Sequence, residues 1–381
     1  MLKVSSRGMI PPFIVMDVMR AANERAASGK DVVHLEVGQP STPAPRLVLE
    51  AAKQALDNQV LGYTDAFGIP PLREKISAYY QTRYGVSIGP EQIVVTTGSS
   101  GGFLLAFLSA FDVGDRIGLA RPSYPAYQNI LVALGLEVVE IPVGAESHFQ
   151  PTPAVLEPYA ADLDGLIVAS PSNPTGSMIN SAGMHVLAEW CDRQEIRLIS
   201  DEIYHGIAYG EPAETALVHT EDAFVVNSFS KYFSMTGWRL GWMVVPENML
   251  RSVECLAQNL FISPPSLSQA AVLAVFDCFD ELDENVARYA ANRELLLNEL
   301  PEAGLPNFAP SDGAFYIYAD VSHLTNDSPD FCNRLLQDTG VAITPGVDFD
   351  RARGNAFVRL CFAGSTADIE TAAARLKDWI R

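Results

Sequence analysis

Asn227-Ser-Phe-Ser-Lys-Tyr-Phe-Ser-Met-Thr-Gly-Trp-Arg-Leu-Gly241 decides how the rest of the chain reads. An apolar run, Ala223 to Val226, leads into it, and another, Leu240 to Val245, leads out. The pattern predicts a strand, a tight polar turn and a second strand. Lys231 lies in the turn with hydroxyls at Ser228 and Ser230, and Arg239 follows eight positions on. A lysine held at a strand end beside groups suited to a phosphate is what condensation with the aldehyde of a phosphorylated cofactor requires. Most lysines in such strings are solvated surface charges, so a bare Ser-x-Ser-Lys is weak by itself. The reading depends on the rest of the chain.

The 381 residues are 48% apolar and 19% charged, which suits a soluble protein with ample core and about two domains. A net charge of −20 argues against nucleic acid or an anionic membrane surface as partner. A few local arginines can still hold a small anionic substrate. The five cysteines are scattered and contain no CxxC pair, so a disulfide framework or zinc site is not expected. The N-terminus lacks a signal-peptide pattern, since Met9-Ile-Pro-Pro-Phe is broken by two prolines. The expected location is cytoplasmic, with no membrane span.

Along the chain, Pro12 opens a predicted helix over 13–28, and further helices are expected over 46–58 and up to Gly85. From residue 93 onward short β-branched runs alternate with helical stretches, at 93–95, 116–120, 137–141, 165–169, 197–200, 224–227 and 240–245. The fold class is therefore α/β, with a mostly parallel seven-stranded sheet between helices in a large domain. Ligands of such sheets sit at the carboxyl ends of the strands. There the chain places Thr96-Thr-Gly-Ser-Ser-Gly-Gly102, Arg121-Pro-Ser-Tyr124, Ser170-Pro-Ser-Asn-Pro-Thr-Gly176, Asp201-Glu-Ile-Tyr204 and the lysine turn. After Val245 the pattern predicts a helix over 283–300, strands near 315–319, 341–344 and 356–362, and a last helix over 366–379. These form a smaller α+β domain built from both termini. The expected division is 1–40 with 276–381, and 41–275 for the large domain.

These motifs, in this order, resemble the class I/II aminotransferases of fold type I, the family of aspartate aminotransferase, over nearly the whole chain. The resemblance implies the cofactor pyridoxal 5'-phosphate, joined as a Schiff base to Lys231. It gives the phosphate to the Ser99-Ser100-Gly101 turn, Ser228, Ser230 and Arg239. A helix N-terminus suits that anion, and a planar guanidinium can bind it through two donors. By the same resemblance Tyr124 stacks on the pyridine ring, and Asn173 and Tyr204 bond its O3′. Asp201 ends a buried strand, where a carboxylate is costly unless paired; the family pairs it with the protonated ring nitrogen. Arg359 lies inside an apolar strand on one face with Phe357 and Cys361. Its partner is either a structural Asp or Glu or, as in the family, the substrate α-carboxylate, with Gly38 close by. Tyr63 resembles the tyrosine that reaches the neighbouring subunit's cofactor phosphate, which implies a homodimer with shared active sites.

The implied activity is ping-pong transfer of an amino group from an L-amino acid to a 2-oxo acid, most often 2-oxoglutarate in this family. Lys231 is the general base and then the general acid, with Asp201 and Tyr204 the other catalytic residues. A C–S β-lyase of the same fold would use the same groups. A cofactor-sensing regulator would carry a DNA-binding segment ahead of this part, and the acidic chain begins almost at the family's first helix. Phe13, Ile14, Phe261, Ile262 and Phe315 fall near positions lining the side-chain pocket in relatives, which suggests an apolar or aromatic substrate. His205 and Glu202, beside Asp201, invite a metal or acid–base reading, but six histidines without paired spacing imply no metal.

Overall fold

The computed structural model describes residues 2–380. Its strands are β1 (Val33–His34), β2 (Ile93–Thr96), β3 (Arg116–Arg121), β4 (Glu137–Pro142), β5 (Gly165–Ala169) and β6 (Arg197–Asp201). Then come β7 (Phe224–Ser228), β8 (Gly241–Val244), β9 (Tyr316–Asp320), β10 (Val341–Ala342), β11 (Thr344–Pro345) and β12 (Phe357–Cys361). Seven of them form one sheet in the order β2-β8-β7-β6-β5-β3-β4. All neighbours are parallel except where β8 meets β2 and β7. Each of the seven apolar runs read from the sequence becomes one of these strands.

The strands are apolar on both faces because both faces are covered. Leu166, Val168, Leu198, Val225, Trp242 and Val244 enter one core, while Ile167, Ile199, Phe224, Val226 and Met243 enter a second. Successive residues of a strand point to opposite sides, so this division is what a sheet between two helical layers requires. One consequence positions the site. β2, β3, β5, β6 and β7 are mutually parallel, and their carboxyl ends deliver the polar turns to one edge of the sheet.

The remaining strands are short. β11, β12 and β9 make an antiparallel sheet, and β1 pairs in parallel with β10. The run expected as one strand over 341–344 is two pieces separated at Ile343, one serving each sheet. The expected helices form at Ile14–Ala27, Arg46–Asn58, Pro70–Tyr84, Phe279–Glu302 and Thr366–Ile380. The first starts against the Asp348 carboxylate, which accepts from Ile14 N at 3.0 Å and Val15 N at 3.1 Å. A carboxylate at a helix N-terminus satisfies free N–H groups and suits the dipole. It ties the N-terminal segment to the loop between β11 and β12.

Candidate active site

At the end of β2 the helix Gly98–Ala110 begins, with Ser99, Ser100 and Gly101 in its first turn. Gly98 has φ of +72°, and a Cβ there would lie 2.4 Å from Arg239 Nη2. Only glycine allows both the left-handed turn and that approach. Arg239 itself is left-handed at φ 52°, a conformation that costs a non-glycine residue about 1–2 kcal/mol. Its Nη1 donates to Thr236 O at 3.0 Å, and its side chain remains exposed. Ser228 pairs with Gly241 across β7 and β8, and a Cβ on Gly241 would be 3.0 Å from Ser99 N. Ser228 and Ser230 are buried with their hydroxyls 2.6 Å apart. A helix N-terminus, two serines and a guanidinium therefore gather in one corner.

Asp201, at the end of β6, is 3% exposed. It accepts from Ile203 N at 3.1 Å and from the Tyr127 hydroxyl. Burial raises its carboxyl to about 6, against the lowering effect of Tyr127, Ile203 N and Lys231. Tyr127 was not singled out in the sequence. The usable signal was its spacing of three from Tyr124 at the head of the helix Pro125–Leu134, which puts both rings on one face. The two rings meet edge to face at 5.3 Å, and Phe13 packs edge-on against Tyr124 at 5.7 Å. The Tyr204 hydroxyl is 2.7 Å from that of Tyr316, a second residue the sequence reading missed. A Cβ on Gly38 would lie 1.9 Å from the Tyr316 oxygen, so only glycine fits there.

Arg359 on β12 is buried, and none of the ion pairs among the described residues includes it. The structural carboxylate left open by the sequence is absent among those residues. Arg359 Nη1 donates to Asn173 Oδ1 at 2.8 Å, and Nη2 donates to Glu36 O at 2.5 Å and Thr344 Oγ1 at 3.3 Å. Its guanidinium carbon is 4.4 Å from the Tyr316 ring centre and 4.8 Å from that of Phe349. Its Nε has no partner. A buried guanidinium held by neutral acceptors and two rings, with a donor left over, is built to receive an anion.

Lys231 is half-buried and donates from Nζ to Gly38 O at 2.6 Å. Burial lowers the amine to about 8, and Cys361, Arg359, Asp201 and Arg239 are all near enough to act on its charge. The Tyr204 ring centre is 5.7 Å from Nζ. Phe229 and Phe233, two positions either side of the lysine, pack with Trp242 at 4.7 and 6.2 Å and fix the turn from behind. Thus the lysine, Asp201, Tyr204, Asn173, Gly38 and Arg359 come together. Two other residues were expected near a site, Tyr63 in that of a neighbouring subunit. Tyr63 is 84% exposed on the loop before the helix Pro70–Tyr84, and Phe315 is a core residue, fully buried against Tyr204, Tyr289 and Tyr316. Ile262 is half exposed beyond the helix Leu250–Leu260.

The profile of the family described as aminotransferase class I and II matches residues 30–376. The chain belongs to this family. Among aminotransferase sequences, one from Mycobacterium tuberculosis named valine–pyruvate aminotransferase is 53% identical over 382 residues, covering 99% of this chain and 98% of that protein. An aspartate aminotransferase from Sulfurisphaera tokodaii is 31% identical, over 96% of this chain and 94% of its own. Among aminotransferase structures, one from Mycobacterium tuberculosis superposes with a TM-score of 0.98 at 53% identity, covering 100% and 99% of the two chains. The Thermus thermophilus aspartate aminotransferase with maleate gives 0.93 at 31%, covering 99% and 100%. Class I and II aminotransferases work with pyridoxal phosphate, and the residues present here fit that group. The uncapped helix N-terminus at Gly98 beside Arg239, and a lysine amine lowered by burial, are each what such a site needs.

Proposed function

We propose that this enzyme transfers the amino group of an apolar L-amino acid, with L-valine the first candidate, to a small 2-oxo acid. Pyruvate and 2-oxoglutarate are the acceptors to test. The observation that carries the reading is the amine of Lys231, lowered to about 8 by burial and set beside Arg359 and Asp201. The valine–pyruvate name of the relative at 53% identity supports the choice of substrates. So does the apolar pair Phe13 and Ile14, since Phe13 lies against Tyr124.

In this reading Ser99, Ser100, Gly101, Ser228, Ser230 and Arg239 hold the phosphate of pyridoxal 5'-phosphate, with Tyr63 of a second subunit. Tyr124 would stack on the ring, Asn173 and Tyr204 would bond its O3′, and Asp201 would pair with its nitrogen. When bound, the cofactor supplies an electron sink for the carbanion formed at the substrate Cα. Arg359 binds the α-carboxylate with Asn173 and the Gly38 backbone, which orients the Cα–H toward Lys231. The neutral Nζ takes the Cα proton and later returns it. A group near pH 8 is well matched to do both at neutral pH.

The enzyme is a homodimer in this proposal. Val60 is 99% exposed, Leu56 59% and Tyr63 84%, an apolar surface that a second subunit would cover. We place its boundaries at 1–40 with 276–381 and at 41–275, because every strand of the large sheet falls in the second range. No helix among the described residues is long and apolar enough to cross a membrane, in keeping with a cytoplasmic enzyme. The test is to supply single amino acids with pyruvate or 2-oxoglutarate and identify both products. Alanine or glutamate formed from L-valine supports the proposal. No transfer from any apolar amino acid overturns the substrate assignment.

A further inference from the structure

Behind Asp201 lies a buried polar chain that the proposed mechanism does not use. His205 is 3% exposed. Its Nε2 is 3.0 Å from Ser170 O, and its Nδ1 is 2.9 Å from the Tyr84 hydroxyl. A carbonyl oxygen only accepts, so the ring proton belongs on Nε2; Nδ1 then accepts from Tyr84. Glu202, 1% exposed, uses Oε1 to accept from Ser200 Oγ at 3.1 Å, Thr215 Oγ1 at 3.0 Å and Ala216 N at 2.9 Å. Its Oε2 has no hydrogen-bond partner and lies 3.5 Å from His205 Nδ1. Burial pushes Glu202 up to about 8 and His205 down to about 3, so both are neutral at neutral pH. With Oε1 filled by three donors, the carboxyl proton belongs on Oε2. Asp201 is then left as the ionised member of the adjacent pair.

The chain joins two functional turns. Ser170 N donates to Asp201 O at 3.3 Å, while Ser170 O accepts from His205. Ser170 therefore bonds from both its peptide groups to the segment 201–205. It also begins the turn that carries Asn173, whose Oδ1 accepts from Arg359. We infer that His205, oriented by Tyr84 and backed by Glu202, is a positioning residue that keeps the Asn173 turn in register with the Asp201 strand end. Through Asn173 it sets the direction of the Arg359 guanidinium. This inference rests on the proposed role of Arg359 in binding the substrate carboxylate.

The holoenzyme variants His205→Phe, His205→Gln, Tyr84→Phe and Arg359→Gln test it, with the fastest donor among the common L-amino acids, L-valine being the one expected. Phenylalanine keeps the ring volume but loses both polar contacts, whereas glutamine can still donate an N–H to Ser170 O. His205→Phe is expected to raise KM for the donor at least tenfold, with kcat within threefold of wild type. His205→Gln should bring KM back to within threefold, even where its melting temperature stays lowered. An unchanged KM in His205→Phe, or equal rises in both variants that follow their loss of melting temperature, overturns the inference. Should His205→Phe not fold, Tyr84→Phe removes only the hydroxyl and is expected to raise KM severalfold; an unchanged value there also overturns it. If Arg359→Gln leaves KM unaltered, the carboxylate reading fails first, and that failure is recognisable as a separate result.

Discussion

Burial sets the working range of Asp201, and the Tyr127 hydroxyl pulls against it. Asp201 is raised to about 6, so it is ionised above that pH and neutral below it. Only the ionised form can pair with a protonated ring nitrogen. Cofactor affinity is therefore expected to hold above pH 6 and to fall below it, as measured by retention after dialysis across pH 5 to 8. The Tyr127 phenol lowers the Asp201 value, so Tyr127→Phe should move that midpoint upward; a midpoint that stays or falls would refute the assignment. At Arg359 the fork matters as well as the charge. Arg359→Lys loses donors to Asn173, Glu36 O and Thr344, at about 1.5–3 kcal/mol for a hydrogen bond to a charged group. KM for the amino acid should rise at least roughly tenfold. The charge of Arg359 and Asp201 inside apolar strands, and the hydroxyls beside Lys231 in its turn, made these three visible in the sequence. Tyr127 and Tyr316 were not, because a tyrosine among aromatic residues gives no sign that its hydroxyl meets Asp201 or that its ring lies against Arg359.

Elements were easier to read than sites. Seven apolar runs became seven strands because a strand covered on both faces must be apolar throughout, and turn residues bounded each run. The stretch over 341–344 was harder, since its pairing is divided between Val33–His34, far away in sequence, and the nearby β12. The resemblance put Phe315 near a side-chain pocket, and its ring is fully buried against Tyr204, Tyr289 and Tyr316. Two tests belong at this scale. Trp242 is fully buried against Phe229 and Phe233 beneath the lysine turn, and Trp242→Ala should cost about 3–5 kcal/mol in denaturant unfolding. A loss below about 1 kcal/mol would mean the aromatic cluster does not brace that turn. In the corner at Gly98, an added methyl would collide with Arg239. Gly98→Ala and Arg239→Ala should each give protein that loses its cofactor on dialysis, and full retention by Arg239→Ala would remove it from the phosphate site.

At the scale of the molecule, the two sheets each deliver part of one site. The large sheet brings Asp201, Asn173, Ser228 and Lys231 to its carboxyl edge, and the small antiparallel sheet brings Arg359 and Tyr316. The bond from Arg359 to Asn173 crosses between them, and that from Lys231 to Gly38 O joins the lysine turn to the loop after β1. The division of labour was legible in the order of motifs; these two contacts were not, because they join residues 186 and 193 positions apart. The central claim is that Lys231 makes this assembly a transaminase. Purified holoenzyme and Lys231→Ala, each given L-valine with no 2-oxo acid, test it in a single half-reaction followed by visible absorption and product analysis. The account predicts that the wild type loses its yellow band and releases one equivalent of the valine-derived 2-oxo acid, while Lys231→Ala releases none. Normal release by Lys231→Ala, or continued accumulation of 2-oxo acid with ammonia while the band persists, would contradict it.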